Sequence, residues 1–185
     1  MLTYKNVFFI LFILIAVVSC KDDDPPIPNE EELITTVIYT LTPAGGGAAI
    51  EFTFRDLDGD GGNDPVITTF PLDSGVVYTG ALTLLNESET PAEDITEEIM
   101  EEDADHQFFF SVHQAQVTVS YEDSDDNGNP VGLQTELTTG AISQGHLTIT
   151  LRHEPDKFAA GVSNGDITNA GGETDIEITF PIVIQ

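Results

Sequence analysis

The chain has 185 residues, with 33 Asp and Glu against 5 Lys and Arg, for a formal net charge of −28. Such a balance excludes nucleic acid and anionic lipid surfaces as electrostatic partners, because both are bound through basic patches. Cations, cationic ligands and basic protein surfaces are left. Beyond the first thirty residues, some 150 remain, about enough for one hydrophobic core and hardly for two.

Met1 to Ser19 carries Lys5 near its start, an uncharged apolar run from Val7 to Val18, and the small residue Ser19 ahead of Cys20. A charged start, a short apolar stretch and a small residue at the cut mark an export signal. As helix the run would reach roughly 18 Å, short of the about 30 Å hydrocarbon core of a bilayer. It therefore reads as a cleaved signal, and its removal takes away Lys5 and no acid. Val17-Val18-Ser19-Cys20 resembles a lipobox, whose cysteine is lipidated, and Cys20 is the sole cysteine of the chain. A lone thiol in an oxidising compartment fits lipid attachment better than a free or buried thiol, so Cys20 is the expected membrane anchor. Lys21-Asp22-Asp23-Asp24 resembles the Lys-acidic sorting tag of Bacteroidota lipoproteins. That implies a lipid-anchored protein of the outer membrane, at the cell surface, with the periplasmic face as the alternative. Pro25 to Pro28 and Glu30 to Glu32 form a stiff acidic spacer. The division is thus 1–19 signal peptide, 20–32 lipidated Cys and tether, and 33–185 folded domain.

From Leu33 onward the dominant signal is period-two alternation, which puts side chains on alternate faces of a strand. It runs through Leu33 to Leu41, Ala48 to Phe54, Val66 to Phe70, Val76 to Leu85, Phe108 to Tyr121, Val131 to Thr138, Leu147 to Leu151 and Ile176 to Ile184. In the last, the Ile and Phe side chains face away from Asp175, Glu177 and Thr179. Pro181 shares that outward parity, which suits an edge strand or a bulge. Between Phe108 and Tyr121 the parity slips by one, so a bulge or turn is expected near His113 to Gln116. Eight or nine short strands split by Gly, Asn, Asp and Pro clusters predict an all-β fold, an antiparallel immunoglobulin-like sandwich. One short acidic helix is expected within Thr90 to Gln107, with Thr90 as N-cap, Pro91 first, Glu93 as return partner, and Ala92, Ile95 and Ile99 as its apolar stripe.

Three groups of side chains offer binding chemistry. Asp56, Asp58, Asp60 and Gly61 match the opening of a calcium loop, with Asp64 as a further ligand, and Asp123, Asp125, Asn127 and Gly128 match it again. Alternate short oxygen ligands converge there on a hard cation while Gly makes the turn. Position twelve holds Ile67 and Gln134 instead of Glu, and the loops join strands, so neither is an EF-hand; Asp, Asn and Gly are also the ordinary residues of turns. The acidic helix places Glu97/Glu101 and Glu98/Glu102 as like-charge pairs, either for solubility or for a bound cation. Its neighbours make an alternative cation site of Glu98, Glu102, Asp105, His106, His153 and Glu154, where imidazole plus carboxylate suits zinc. Satisfied structural or surface histidines are the plain alternative.

No nucleophile elbow, phosphate-binding loop, dinucleotide fingerprint or metalloprotease motif occurs, and an enzyme is not expected. The stretches FRDLDGDGGNDP (54–65), LLNESETPAEDITEEI (84–99), HQFFF (106–110), LRHEPDK (151–157) and AGGETDIEITF (170–180) resemble small Bacteroidota lipoproteins of the outer membrane. The resemblance implies association with a TonB-dependent outer-membrane receptor and carries over no site residue. The expected function is non-enzymatic binding of a cation or cationic ligand in support of such a receptor. The alternative is a structural or interaction module of the surface with no small ligand.

Overall fold

The computed structural model describes residues 33–59 and 62–185. The signal peptide, Cys20 with its tether, and Asp60 with Gly61 of the first Asp loop lie outside the described residues.

Ten strands and one α-helix follow in the order β1 (Thr36–Pro43), β2 (Ile50–Arg55), β3 (Val66–Thr68), β4 (Val77–Asn86), β5 (Glu93–Asp94), α1 (Ile95–Glu101), β6 (His106–His113), β7 (Val117–Tyr121), β8 (Gln134–Thr139), β9 (Ser143–His153) and β10 (Glu173–Ile184). The first sheet runs β3-β2-β1-β4-β8-β7, with β5 hydrogen-bonded to the end of β4, and the second runs β10-β9-β6. All the ladders between named strands are antiparallel. The sheets pack face to face as an all-β sandwich.

Alternation creates the core. Val37, Tyr39 and Leu41 of β1 and Tyr78, Leu82 and Leu84 of β4 meet Leu147, Ile149 and Leu151 of β9 and Ile178, Phe180, Ile182 and Ile184 of β10. Ring contacts cross between the layers, Phe52 to Phe180 at 5.7 Å and Tyr39 to Phe110 at 6.2 Å. Tyr39 brings a hydroxyl into this core and bonds it to Thr135 Oγ1 at 2.7 Å. Gly80 makes room for that pair, since a Cβ there would run into both oxygens.

One sequence expectation is met, the turn within Phe108 to Tyr121, and one needs correction, the extent of the helix. The stretch from Phe108 to Tyr121 is two strands in different sheets. The slip in parity is a turn at His113 to Gln116, with Gln114 at φ 64° and the Ala115 amide donating to the His113 carbonyl. Changing sheets reverses which face is inward, hence the shift from Phe108 and Phe110 to Val117 and Val119. The helix starts later and ends earlier than Thr90 to Gln107. Glu93 and Asp94 pair with Asn86 and Leu85 of β4, and Asp94, not Thr90, caps α1 by accepting from the Thr96 amide at 3.0 Å. Ile95 and Ile99 are buried as expected, whereas Ala92 is exposed. Pro181 is exposed on β10, an edge strand of its sheet. Residues 154–172, with two 3-10 turns, cover the outer face of the small sheet, packing Val162 and Ala170 on Phe109.

Candidate metal centre

His106 and His153 stand at the ends of two core-facing lines, one ahead of Phe108 and Phe110 of β6, the other after Leu147, Ile149 and Leu151 of β9. The antiparallel register sets them opposite each other, and their rings lie 4.5 Å apart at 32°. Both are buried. The turn that leaves α1 fixes the first ring. Glu102 closes the helix, its amide donating to the Glu98 carbonyl, and its own carbonyl accepts from the Asp105 amide and from His106 Nδ1 at 3.1 Å. A carbonyl only accepts, so Nδ1 bears the proton in this state.

The Glu102 side chain reaches the same place from the exposed side. A carboxylate oxygen of Glu102 and one ring nitrogen each from His106 and His153 lie within 4.8 Å of one another. Zinc held at about 2.0–2.2 Å by such atoms spaces them about 3.4 Å apart. Glu102, exposed at the C-cap of α1, can contribute to closing that difference by a change of rotamer. No family model, curated protein or solved structure matches this chain. Chemistry at this cluster therefore rests on its own geometry.

Of the other residues expected in this cation site, Glu98, Asp105 and Glu154 stand outside the group that converges. Asp105 and Glu154 meet through their backbones, the Glu154 amide donating to the Asp105 carbonyl at 2.6 Å, and so lock the start of β6 to the end of β9.

Both Asp loops use their carboxylates on the protein itself. Asp56 Oδ1 accepts from the Gly59 amide at 3.0 Å, and Asp58 Oδ2 accepts from the amide and the side chain of Asn63 at 3.1 and 2.7 Å. Those Asn63 bonds hold the Asp58 carboxyl below its usual range. Asp64 is exposed, and among the described residues no group of three ligands forms in this loop. In the second loop, Asp123 accepts from the Gly132 and Gln134 amides at 2.7 and 2.8 Å. Asp125, expected as a calcium ligand, has a different cation, the Lys157 ammonium at 3.3 Å, with both side chains almost fully buried. It also accepts from the Asn127 and Asn129 amides, each at 2.9 Å. Burial pushes its carboxyl up, but the Asn129 amide, Lys157 and the Asn127 amide outweigh that and hold it below the usual range. Asn127 itself is exposed. This loop is held together by a protein cation, a role given in sequence terms to calcium.

Sequence reasoning passed over two residues here. Lys157, one of the few basic side chains, is only 3% exposed and also donates to the Asp103 carbonyl beside the helix end. Its sequence neighbours gave no sign of burial. The second is Asp175, placed outward by strict alternation. Its side chain is 1% exposed and lies in ion-pair range of His106 and His153.

Proposed function

We propose that this chain is a lipid-anchored, non-enzymatic binding protein of the outer membrane whose domain holds a zinc-class divalent ion between Glu102, His106 and His153. The observation that supports it is the convergence of two buried imidazoles and a carboxylate within 4.8 Å. Imidazole nitrogen favours zinc and other borderline metals over calcium, which takes oxygen. An acidic surface raises the local concentration of cations, and lipid on Cys20 would hold the domain at the membrane, where it could serve a TonB-dependent receptor. The full-length chain in detergent tests the reading by calorimetric titration and thermal melting. Zinc should bind at one site per chain and raise the melting temperature, with His106→Ala and His153→Ala abolishing both effects and calcium giving neither. Absence of heat and of any shift at millimolar zinc would remove the metal reading.

A second reading, an interaction module with no small ligand, is favoured by Leu57, Val66, Ile67 and Phe70, apolar side chains exposed on and around the edge strand β3. Exposed edge strands offer unpaired backbone groups to another chain. Recovery of a partner that is lost in Val66→Lys and retained in His106→Ala would support it.

A further inference from the structure

The remaining group at this centre comes from β10. In its ladder with β9, Thr174 pairs with Arg152 and Ile176 with Leu151, so Asp175 is the residue that the pairing skips. An extra residue in an antiparallel ladder bends the strand and re-aims a side chain. Glu173 and Glu177, which alternation would align with Asp175, are exposed, while its own side chain is buried. Gly172 sets the approach just before it. At φ +67° it brings β10 so close that a Cβ would fall on the His153 carbonyl.

The two oxygens of Asp175 divide between the rings. Oδ2 lies 4.0 Å from His106 Nε2 and Oδ1 3.9 Å from His153 Nδ1. Each imidazole thus turns one nitrogen toward Asp175 and the other away. For His106 the nitrogen turned away is Nδ1, which bonds the Glu102 backbone carbonyl at 3.1 Å. Asp175 is also outside the group of ligand atoms that converge within 4.8 Å.

The geometry points to Asp175 as a positioning residue that accepts the N–H of both imidazoles, one on each oxygen, and presents His106 Nδ1 and His153 Nε2 to the metal. The inference rests on the zinc reading above. A metal-bound histidine that gives its other N–H to a carboxylate has its ring orientation and tautomer fixed and becomes a more basic ligand. Here a single carboxylate serves two rings, which is why a skipped residue at this point of β10 has a use. With an ion on Nδ1, the single ring proton of neutral His106 would sit on Nε2, where Asp175 Oδ2, now 4.0 Å away, is the acceptor it faces.

Nitrogen NMR of histidine-labelled, full-length protein in detergent, loaded with zinc, tests this together with zinc affinity. In the wild type, N–H protons are expected on His106 Nε2 and His153 Nδ1. Asp175→Asn should bind zinc about 10- to 100-fold more weakly and lose the single tautomer of at least one ring, with Asp175→Glu recovering part of the affinity. Zinc found on His106 Nε2 or His153 Nδ1 overturns the assignment, as does an Asp175→Asn affinity within twofold of wild type. Either result leaves the zinc reading standing, whereas a wild type that binds no zinc removes both. Should Asp175→Asn fail to fold, the wild-type tautomers decide alone.

Discussion

Tyr39 shows how one side chain can tie stability to pH. Burial pushes its phenol up to about 12 from the model-compound value of 10.0, against the opposing bond to Thr135. The folded state therefore holds the proton more tightly than the unfolded chain. Its contribution is fully present below about pH 10 and is lost as pH rises through about 12, on the order of 3 kcal/mol. Tyr39→Phe should cost about 1 kcal/mol at neutral pH through the lost hydroxyl bond and flatten the alkaline fall in urea midpoint. A Tyr39→Phe profile parallel to wild type would refute this. Asp125 works in the opposite direction. Its carboxyl is held low, so its contribution exists above the unfolded value near 4 and fades as pH falls. Lys157→Met leaves that carboxylate buried without its cation and should cost about 3–5 kcal/mol, measured by urea unfolding. Lys157→Met with Asp125→Asn should lose clearly less than the two single changes summed.

Among the elements, α1 is held by packing and weakened by charge. Ile95 and Ile99 bury its inner face, and Ile99→Ala should cost about 2–5 kcal/mol in urea unfolding. Its first turn carries Glu97 and Glu98, its last turn no base. Acids toward the C-terminal end oppose the helix dipole, so Glu101→Gln, which also relieves the like-charge pair with Glu97, should leave stability equal or raise it by about 0.5 kcal/mol in urea unfolding. The same contrast separates what the residues made legible from what they did not. Alternation identified the main strands because each buries one face, and His153 could be placed inward by its parity with Leu147, Ile149 and Leu151. It could not pair β6 with β9, because register depends on partners distant in the chain, so the meeting of His106 with His153 stayed hidden. The bulge at Asp175 is a defect in the very pattern used to assign faces, and the motif in the Asp loops is shared with turns that bond their own amides. The candidate centre lies where a local rule is broken, as functional sites tend to do.

Across the domain, Arg55, Arg152 and Lys157 are the basic side chains of residues 33–185. Each is engaged internally: Arg55 with Glu87 at 2.6 Å, Arg152 with the Gly171 carbonyl and Thr174, and Lys157 with Asp125. What the molecule offers outward is thus strongly acidic, a field that would draw cations toward the proposed centre, where imidazoles would favour zinc-class ions. The junction of α1, β6, β9 and β10 is also where both edge strands of the small sheet and the helix end meet, so a bound ion would stabilise the fold as well as occupy a site. Anomalous diffraction at the zinc edge, from crystals of the protein grown with zinc, addresses that claim directly. A single strong peak between Glu102, His106 and His153 is expected. Peaks confined to the Asp56–Asp64 or Asp123–Asn127 loops, with none at the histidines, would contradict it.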